Sequence, residues 1–196
     1  MTRGGRGATS SAGCYRWRTT ADEEKIMSLY DSSFPQMARM LGQVPTWFDK
    51  AQAHAEQKKY DPEVLLTARL APDQWNFRRQ IQNVISWPLR LSALLVGAEP
   101  PAPQTGDETI AELRARIGET LQQVSALKPE QFQGAGDRMI PLFFMPGKGM
   151  RAPDFVFQFA LPNFYFHATT AYSILRHNGI DVGKIDFIGP IAIRDL

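Results

Sequence analysis

The sequence predicts an all-α protein, a four-helix bundle with a small β-hairpin before its last helix. Three observations support this fold class. Apolar residues recur at helical spacing in most segments, the loops between those segments are short, and only residues 138–152 break the pattern. The chain has 196 residues, of which 43% are hydrophobic, and this is enough for one domain with a sizeable core.

The first helical segments follow Met27. We interpret Ser33–Gln36 as a capping box with an early proline. Pro45 then breaks or kinks the chain, and a more polar helix continues after it. Asp61 followed by Pro62 predicts a short helical turn that begins with an Asp cap.

Two longer helices are expected next. The first begins at Pro72 and Asp73 and ends at Gly97, before a proline-rich loop. The second begins at a capping box, Thr105–Glu108. Each carries a regular apolar stripe, which predicts one face in the core. The stripe residues are Phe77, Ile81, Val84, Leu91 and Leu95 in the first helix and Ile110, Leu113, Ile117, Leu121 and Val124 in the second.

The hairpin and the last helix follow. Residues 138–152 combine an apolar run with a Pro-Gly-Lys-Gly turn, which indicates a β-hairpin. Asp154 is expected to cap the last helix, and Asn178 and Gly179 are typical of a left-handed C-cap. We expect irregular structure after this helix. Its predicted core stripe is Phe157, Leu161, Phe164, Ala168, Ala171 and Leu175.

The last helix is apolar around most of its circumference. A helix of this kind is buried on more than one side. Either the bundle and the hairpin cover it, or it forms part of a subunit interface. The second alternative predicts a homodimer.

Residues 1–26 differ in composition from the single domain expected at 27–196. They are rich in glycine, serine, threonine and arginine, and we expect a disordered N-terminal extension. An extended or misassigned start is favoured over a targeting signal. The extension holds five of the 22 basic and three of the 20 acidic residues, which leaves 17 of each in the domain. This balance predicts no nucleic-acid partner.

The sequence also disfavours cysteine-based sites, membrane proteins and several common catalytic motifs. The only cysteine, Cys14, lies in the extension, so neither a disulfide framework nor a thiolate metal site is expected, and a reducing, cytoplasmic location fits. No apolar run has the length of a membrane span, so no membrane partner is expected. Phosphate-binding glycine loops, nucleophile elbows and zinc-spaced motifs are absent from the sequence.

A polar flank on the last helix holds the main candidate site. At about 100° per residue, Asn163, His167 and Thr170 lie beside the apolar stripe. Two interpretations are open. The histidine and the asparagine bond each other or a neighbouring helix, or this is a metal-binding helix in a working or altered form.

Three stretches carry a resemblance to a known family: "LLTARLAPDQWNFRRQIQNV", "ALPNFYFHATTAYSILRHNG" and "GKIDFIG". Together they resemble a group of uncharacterised bacterial proteins classified as a domain of unknown function within the DinB/YfiT-like metalloenzyme superfamily. The resemblance covers about residues 27–190. Leu175, Arg176 and Gly179 fall in register with the closing-helix pattern of that superfamily. It implies a four-helix bundle, often dimeric, in which three histidines hold a divalent metal.

On that resemblance, His167 occupies the last ligand position and Asn163 stands where the preceding histidine is expected. The third ligand comes from the helix at 73–97, which has no histidine. Neutral amides are poor ligands for zinc or nickel. We therefore expect a degenerate metal site and no cofactor, with a divalent metal as the alternative. The polar candidates for the third position are Gln80, Gln82 and Asn83.

Two functions remain open at this point. The first is a DinB-like bundle without metal that serves as a binding or interaction protein, as a homodimer and with an unknown small molecule. The second is a hydrolase or transferase of the superfamily that depends on a metal or on His167 as the catalytic residue. Whether the protein is an enzyme is left open. The residues expected near a pocket are Arg69, Gln80, Asn83 and Thr170.

Overall fold

The structure is a computed structural model that describes residues 28–195. The prediction for residues 1–26 lies outside this range. The α-helices are α1 (Leu29–Leu41), α2 (Val44–Lys58), α3 (Phe77–Val96), α4 (Ile110–Ser125), α5 (Ala152–Phe155), α6 (Leu161–His177) and α7 (Lys184–Ile188). Short 3₁₀ helices span Pro62–Thr67, Pro129–Phe132 and Ala135–Asp137, and two strands, β1 (Met139–Pro141) and β2 (Gly149–Arg151), form the sheet. Over the described range, no helix combines the length and the apolar character needed to span a membrane.

Four helices, α1, α3, α4 and α6, pack around one core, as the sequence predicts. Helix α3 contacts the other three. The break predicted at Pro45 lies slightly earlier, at Gly42 and Gln43, and Pro45 is in the first turn of α2. Helix α2 packs on α4 and on the 3₁₀ helix Pro62–Thr67. Helices α3 and α6 are antiparallel, because Gln80 contacts His167 and, further along α3, Trp87 contacts Phe159. The polar flank of α6 therefore faces α3.

Two predicted capping boxes are wrong. Helix α1 is capped by Ser28, and Ser33 is buried inside the helix. Helix α4 is capped by Thr109, which forms a capping box with Glu112, while Thr105–Glu108 belongs to the preceding loop. At the start of each helix, two Ser or Thr residues precede an acidic or amide residue by three positions, and packing of the helix decides which of the two is used.

Two other helix starts are shifted by a few residues. Asn76 caps α3, so Pro72 and Asp73 lie in the preceding turn. Asp154 lies in the first turn of α5, after the cap position at Arg151. An acidic residue in the first turn still favours the helix through its dipole.

The predicted hairpin is present and pairs β1 with β2 in antiparallel register, with Ile140 opposite Met150. Its turn carries two phenylalanines, Phe143 and Phe144. Their ring centroids lie 6.3 and 5.0 Å from that of Phe159. The hairpin thus covers part of the last helix.

The last helix is interrupted near its start. A π-helical turn, Val156–Ala160, joins α5 to α6 and changes the helical phase. Phe157, predicted in the core stripe, is therefore 51% exposed, while the other five stripe residues are buried. Asn178 is the C-cap residue, and Gly179 adopts the left-handed conformation predicted for it, with φ of 84°. The segment after it contains the short helix α7, where we expected irregular structure.

Candidate functional site

The candidate site lies where α3 faces α6. His167 Nδ1 is 2.6 Å from Gln80 Oε1, and these residues are 6% and 1% exposed. The Gln80 amide nitrogen donates to the Trp75 carbonyl at 3.1 Å. That bond turns the amide oxygen towards the ring, so Nδ1 carries the hydrogen and donates it. Nε2 is then the unprotonated nitrogen of a neutral imidazole.

Aromatic side chains enclose the histidine. The indole of Trp75, in the loop before α3, is stacked on the imidazole. The ring of Phe166 contacts the imidazole edge-on, with 5.3 Å between centroids. The guanidinium of Arg79 lies 4.9 Å from the centroid of the Trp75 ring. The imidazole is thus shielded from water on most sides.

This environment keeps His167 uncharged. Burial, and secondarily the positive charge of Arg79, lower the pKa of His167 to about 4. The ring is therefore neutral at pH 7. Within residues 28–195, no side chain or backbone group forms a hydrogen bond with Nε2. This atom is also not fully buried. It is an accessible hydrogen-bond acceptor.

An open depression of about 330 Å³ lies over the imidazole. Two of its walls are aromatic, and the others are polar. It offers the Nε2 acceptor, the amide of Asn163 and the carboxylate of Asp73, while the amide of Gln80 is already bonded to Trp75 and His167. It therefore suits a small planar molecule with a hydrogen-bond donor. The lining residues are Asp73, Trp75, Gln80, Asn163, Phe166 and His167.

The sequence profile of the family described as Domain of unknown function (DUF1993) matches residues 29–188. The chain belongs to the DUF1993 family. It is also similar to the crystal structure of a DinB family member protein from Shewanella denitrificans, with a TM-score of 0.79 and 40% identity over 86% of this chain and 96% of that one. The DinB-like fold inferred from the sequence is confirmed. No curated protein matches the chain.

In this DUF1993 protein, three of the residues singled out from the sequence lie together: Gln80, Asn163 and His167. Of the candidates for the third position, only Gln80 contacts the histidine. Gln82 is turned towards the loop before α4, where its amide donates to the Gly106 carbonyl at 2.8 Å. Asn83 lines a neighbouring cavity.

Besides Asn83, two residues expected near the pocket lie outside it in the DUF1993 structure, Thr170 and Arg69. Thr170 is buried, and its hydroxyl donates to a carbonyl of its own helix at 2.7 Å. Arg69 is exposed and donates to the Pro72 carbonyl at 3.2 Å. The sequence did not predict Trp75, Phe166 or Asp73 as residues that line the depression. The one signal in the sequence for this aromatic wall of the depression was Trp75, a tryptophan in a polar segment just before α3.

The donors around His167 do not fit a tightly held zinc or nickel ion. Among residues 28–195 of the DUF1993 protein there is no group of three or more His, Cys, Asp or Glu side chains able to hold a metal. The site offers one imidazole, the neutral amides of Gln80 and Asn163, and the exposed carboxylate of Asp73. The Gln80 oxygen already accepts a hydrogen bond from Nδ1. Zinc and nickel favour imidazole and thiolate over such amides.

Proposed function

We propose that this DinB-like protein is a cytoplasmic, homodimeric binding protein. It takes a small organic molecule in the depression over His167 and works there without a metal. The hydrogen bond between His167 and Gln80 carries the proposal. This bond orients the imidazole and occupies the side-chain oxygen of Gln80. It leaves one unprotonated nitrogen, Nε2, available to a ligand.

The chemistry of the depression defines the ligand class. A neutral Nε2 accepts a hydrogen bond, so the ligand supplies an O–H or N–H group. The exposed rings of Trp75 and Phe166 favour a flat ligand that stacks or contacts them edge-on. The Asn163 amide, half-buried in the same wall, can donate to or accept from a second polar group of the ligand.

The alternative, a hydrolase or transferase that uses His167 as acid or base, has less support. A general base works best when its pKa lies near the operating pH. The pKa of His167 is lowered to about 4, which makes Nε2 a weak base at neutral pH. No side-chain carboxylate in the described range bonds the imidazole, so the ring lacks the orienting acid of a catalytic dyad.

Nitrogen-detected NMR of the histidine rings tests the proposal, with phenol as the probe and anisole as its matched control. Phenol donates a hydrogen bond, and anisole has the same ring without a donor. Phenol at millimolar concentration should shift the Nε2 resonance of His167 in a saturable way, and anisole should shift it much less. The exposed His177 provides the internal control, because its resonances should not respond.

The binding proposal fails if phenol and anisole give equal responses, or if His177 responds as strongly as His167. Saturable binding of phenol to His167→Phe at unchanged affinity, followed on the proton resonances of phenol, also contradicts it. Each of these outcomes would show that Nε2 is not the acceptor.

The homodimer is proposed from the surface of the last helix. Phe157 and Phe166 are 51% and 55% exposed, although the hairpin covers Phe159. Large aromatic side chains left on the surface are typical of interaction sites. A second copy of the chain can cover Phe157 with the same surface in a two-fold arrangement, the commonest symmetry of homo-oligomers, and leave Phe166 to the depression over His167.

A further inference from the structure

A second cavity lies beside the depression over His167 and shares only Trp75 with it. Its volume is about 150 Å³, and it lies between α3 and the loop that follows α3. The rings of Trp75, Trp87 and Phe143 form aromatic walls. Arg79 and Arg90 line the same space.

Four polar residues of this cavity lie along one face of α3. Arg79, Asn83, Ser86 and Arg90 are spaced by four, three and four residues, which places them on a single helical stripe. The cavity is therefore a trough along the helix. A guanidinium lies near each end, and an amide and a hydroxyl lie between them.

Positive charge in the trough is not balanced by carboxylates. No Asp or Glu side chain lines it, and neither Arg79 nor Arg90 forms an ion pair with any of residues 28–195. Arg90 donates to the Pro101 carbonyl at 2.9 Å, and Arg79 makes a longer contact of 3.5 Å with the Gln104 carbonyl. Each guanidinium has five N–H donors, so most donors are available to a ligand.

Arg90 is the better placed of the two for an anion. Its guanidinium lies 6.0 Å from the centroid of Trp87 and 5.9 Å from that of Phe143, inside the aromatic end of the trough. The side chain of Arg90 is half-buried, which removes part of its charge from water and lowers its pKa. A cation in such a place interacts more strongly with an anion than one on an open surface.

The size of the cavity limits the ligand to about one ring, since an apolar protein cavity of about 150 Å³ binds benzene. We propose that this trough binds a small aromatic carboxylate of the size of benzoate. Its ring lies among Trp75, Trp87 and Phe143, and its carboxylate lies on the Arg90 guanidinium. The proposal is independent of the ligand proposed for the His167 depression.

A purely structural role for the two arginines gives different expectations. In that case they serve only to hold the loop after α3 through its carbonyls, and a carboxylate has no preferred place. Replacement of Arg90 would then lower the thermal stability without changing the binding of any small molecule. The experiment below separates the two roles.

The test uses the full chain and fluorine NMR with 4-fluorobenzoate, and with 4-fluorobenzyl alcohol as the neutral control. 4-Fluorobenzoate should bind saturably, and the affinity for the alcohol should be lower by a factor of about ten or more. Arg90→Gln should weaken 4-fluorobenzoate by about tenfold and leave the alcohol unchanged. Arg176→Gln, at the far end of α6, is the matched control and should change neither affinity.

A second variant keeps the test informative if Arg90→Gln does not fold. Phe143 is 67% exposed, so Phe143→Ala should fold, and it should weaken both probes severalfold by removing an aromatic wall. The proposal is overturned if neither probe binds saturably, if both bind equally, or if 4-fluorobenzoate keeps its affinity in Arg90→Gln. Unchanged binding of both probes to Phe143→Ala also overturns it.

Discussion

The indole of Trp75 lies parallel to the imidazole of His167, with 5.4 Å between the ring centroids and 11° between the planes. Gln80 links the two, because its amide bonds the carbonyl of one and the ring nitrogen of the other. A protonated imidazole would bring a charge into this stack, next to the positive charge of Arg79. Burial of the imidazole, and secondarily the charge of Arg79, therefore favour the neutral histidine.

The first prediction is that lowering the pH from about 6.5 to 4 destabilises the fold through His167. The unfolded chain protonates this residue near pH 6.5, whereas in the fold its pKa is about 4. Between these values the unfolded state binds the extra proton, so the free energy of unfolding falls as the pH falls. The loss is on the order of 3 kcal/mol at most. Urea unfolding at a series of pH values measures it.

His167→Gln should remove most of this pH dependence, because the titrating group is gone. His177→Gln, a change at an exposed histidine, should keep it. If the two variants show the same slope between these pH values, burial of His167 is not its source.

The second prediction concerns metal. The purified protein should hold far less than one zinc or nickel per chain, since its donor set is poor. Asn163→His alone should raise the affinity only modestly. Gln80→His combined with Asn163→His places three imidazoles together and should give about one zinc per chain. The matched control combines Gln82→His with Asn163→His. It should not bind zinc at this level, because position 82 faces the loop before α4.

Elemental analysis measures the metal content of the unmodified protein, and zinc titration measures the affinity of the variants. About one metal per chain in the unmodified protein, lost on His167→Ala, would contradict the degenerate site and restore the metalloenzyme interpretation. Zinc binding by the control at the level of the three-imidazole variant would contradict the assignment of position 80.

The third prediction is that the protein sediments as a dimer at micromolar concentration and that Phe157→Asp converts it to a monomer. A charge at this 51% exposed position would be buried without a partner in an interface. Val64→Asp changes a side chain of similar exposure, 55%, on the 3₁₀ helix Pro62–Thr67 and should leave the dimer intact. A monomer before any substitution would show that the last helix needs no partner.

The fourth prediction follows from the cap of α4. Thr109→Ala should destabilise the protein by about 1 kcal/mol, because it removes the bond to the Glu112 backbone N–H. Thr105→Ala changes the residue at which the sequence pattern placed the cap, and it should have an effect within about 0.5 kcal/mol. Denaturant midpoints compare the two, and equal losses would contradict the cap assignment.

Long apolar stripes made most of the fold predictable from the sequence. The apolar stripe of α3, from Phe77 to Leu95, is buried as expected. The helical spacing of its apolar residues and the length of the segment leave few other secondary structures open to it. The starts of helices were less predictable, since Ser28 and Ser33 are both acceptable caps when judged from local sequence. Phe157 was misplaced because a π-helical turn changes the phase and has no clear sequence signal.

The candidate site was predictable in part. The position of His167 followed from helical spacing, and the need for a partner on α3 followed from the resemblance to the DinB-like superfamily. The choice among Gln80, Gln82 and Asn83 depends on the rotation of α3 against α6, which a single sequence does not determine. Trp75 belongs to a loop, and its place over the imidazole depends on the path of the backbone before the Asn76 cap.

The side chain of Trp75 is a wall shared by two cavities, one over His167 and one along the arginine stripe of α3. An indole that swings to admit a molecule on one side alters the shape available on the other. Thermodynamic linkage then requires that occupancy of either cavity change the affinity of the other by the same factor. With 47% of its surface exposed, this tryptophan is also a natural fluorophore through which such cooperativity can be followed in solution.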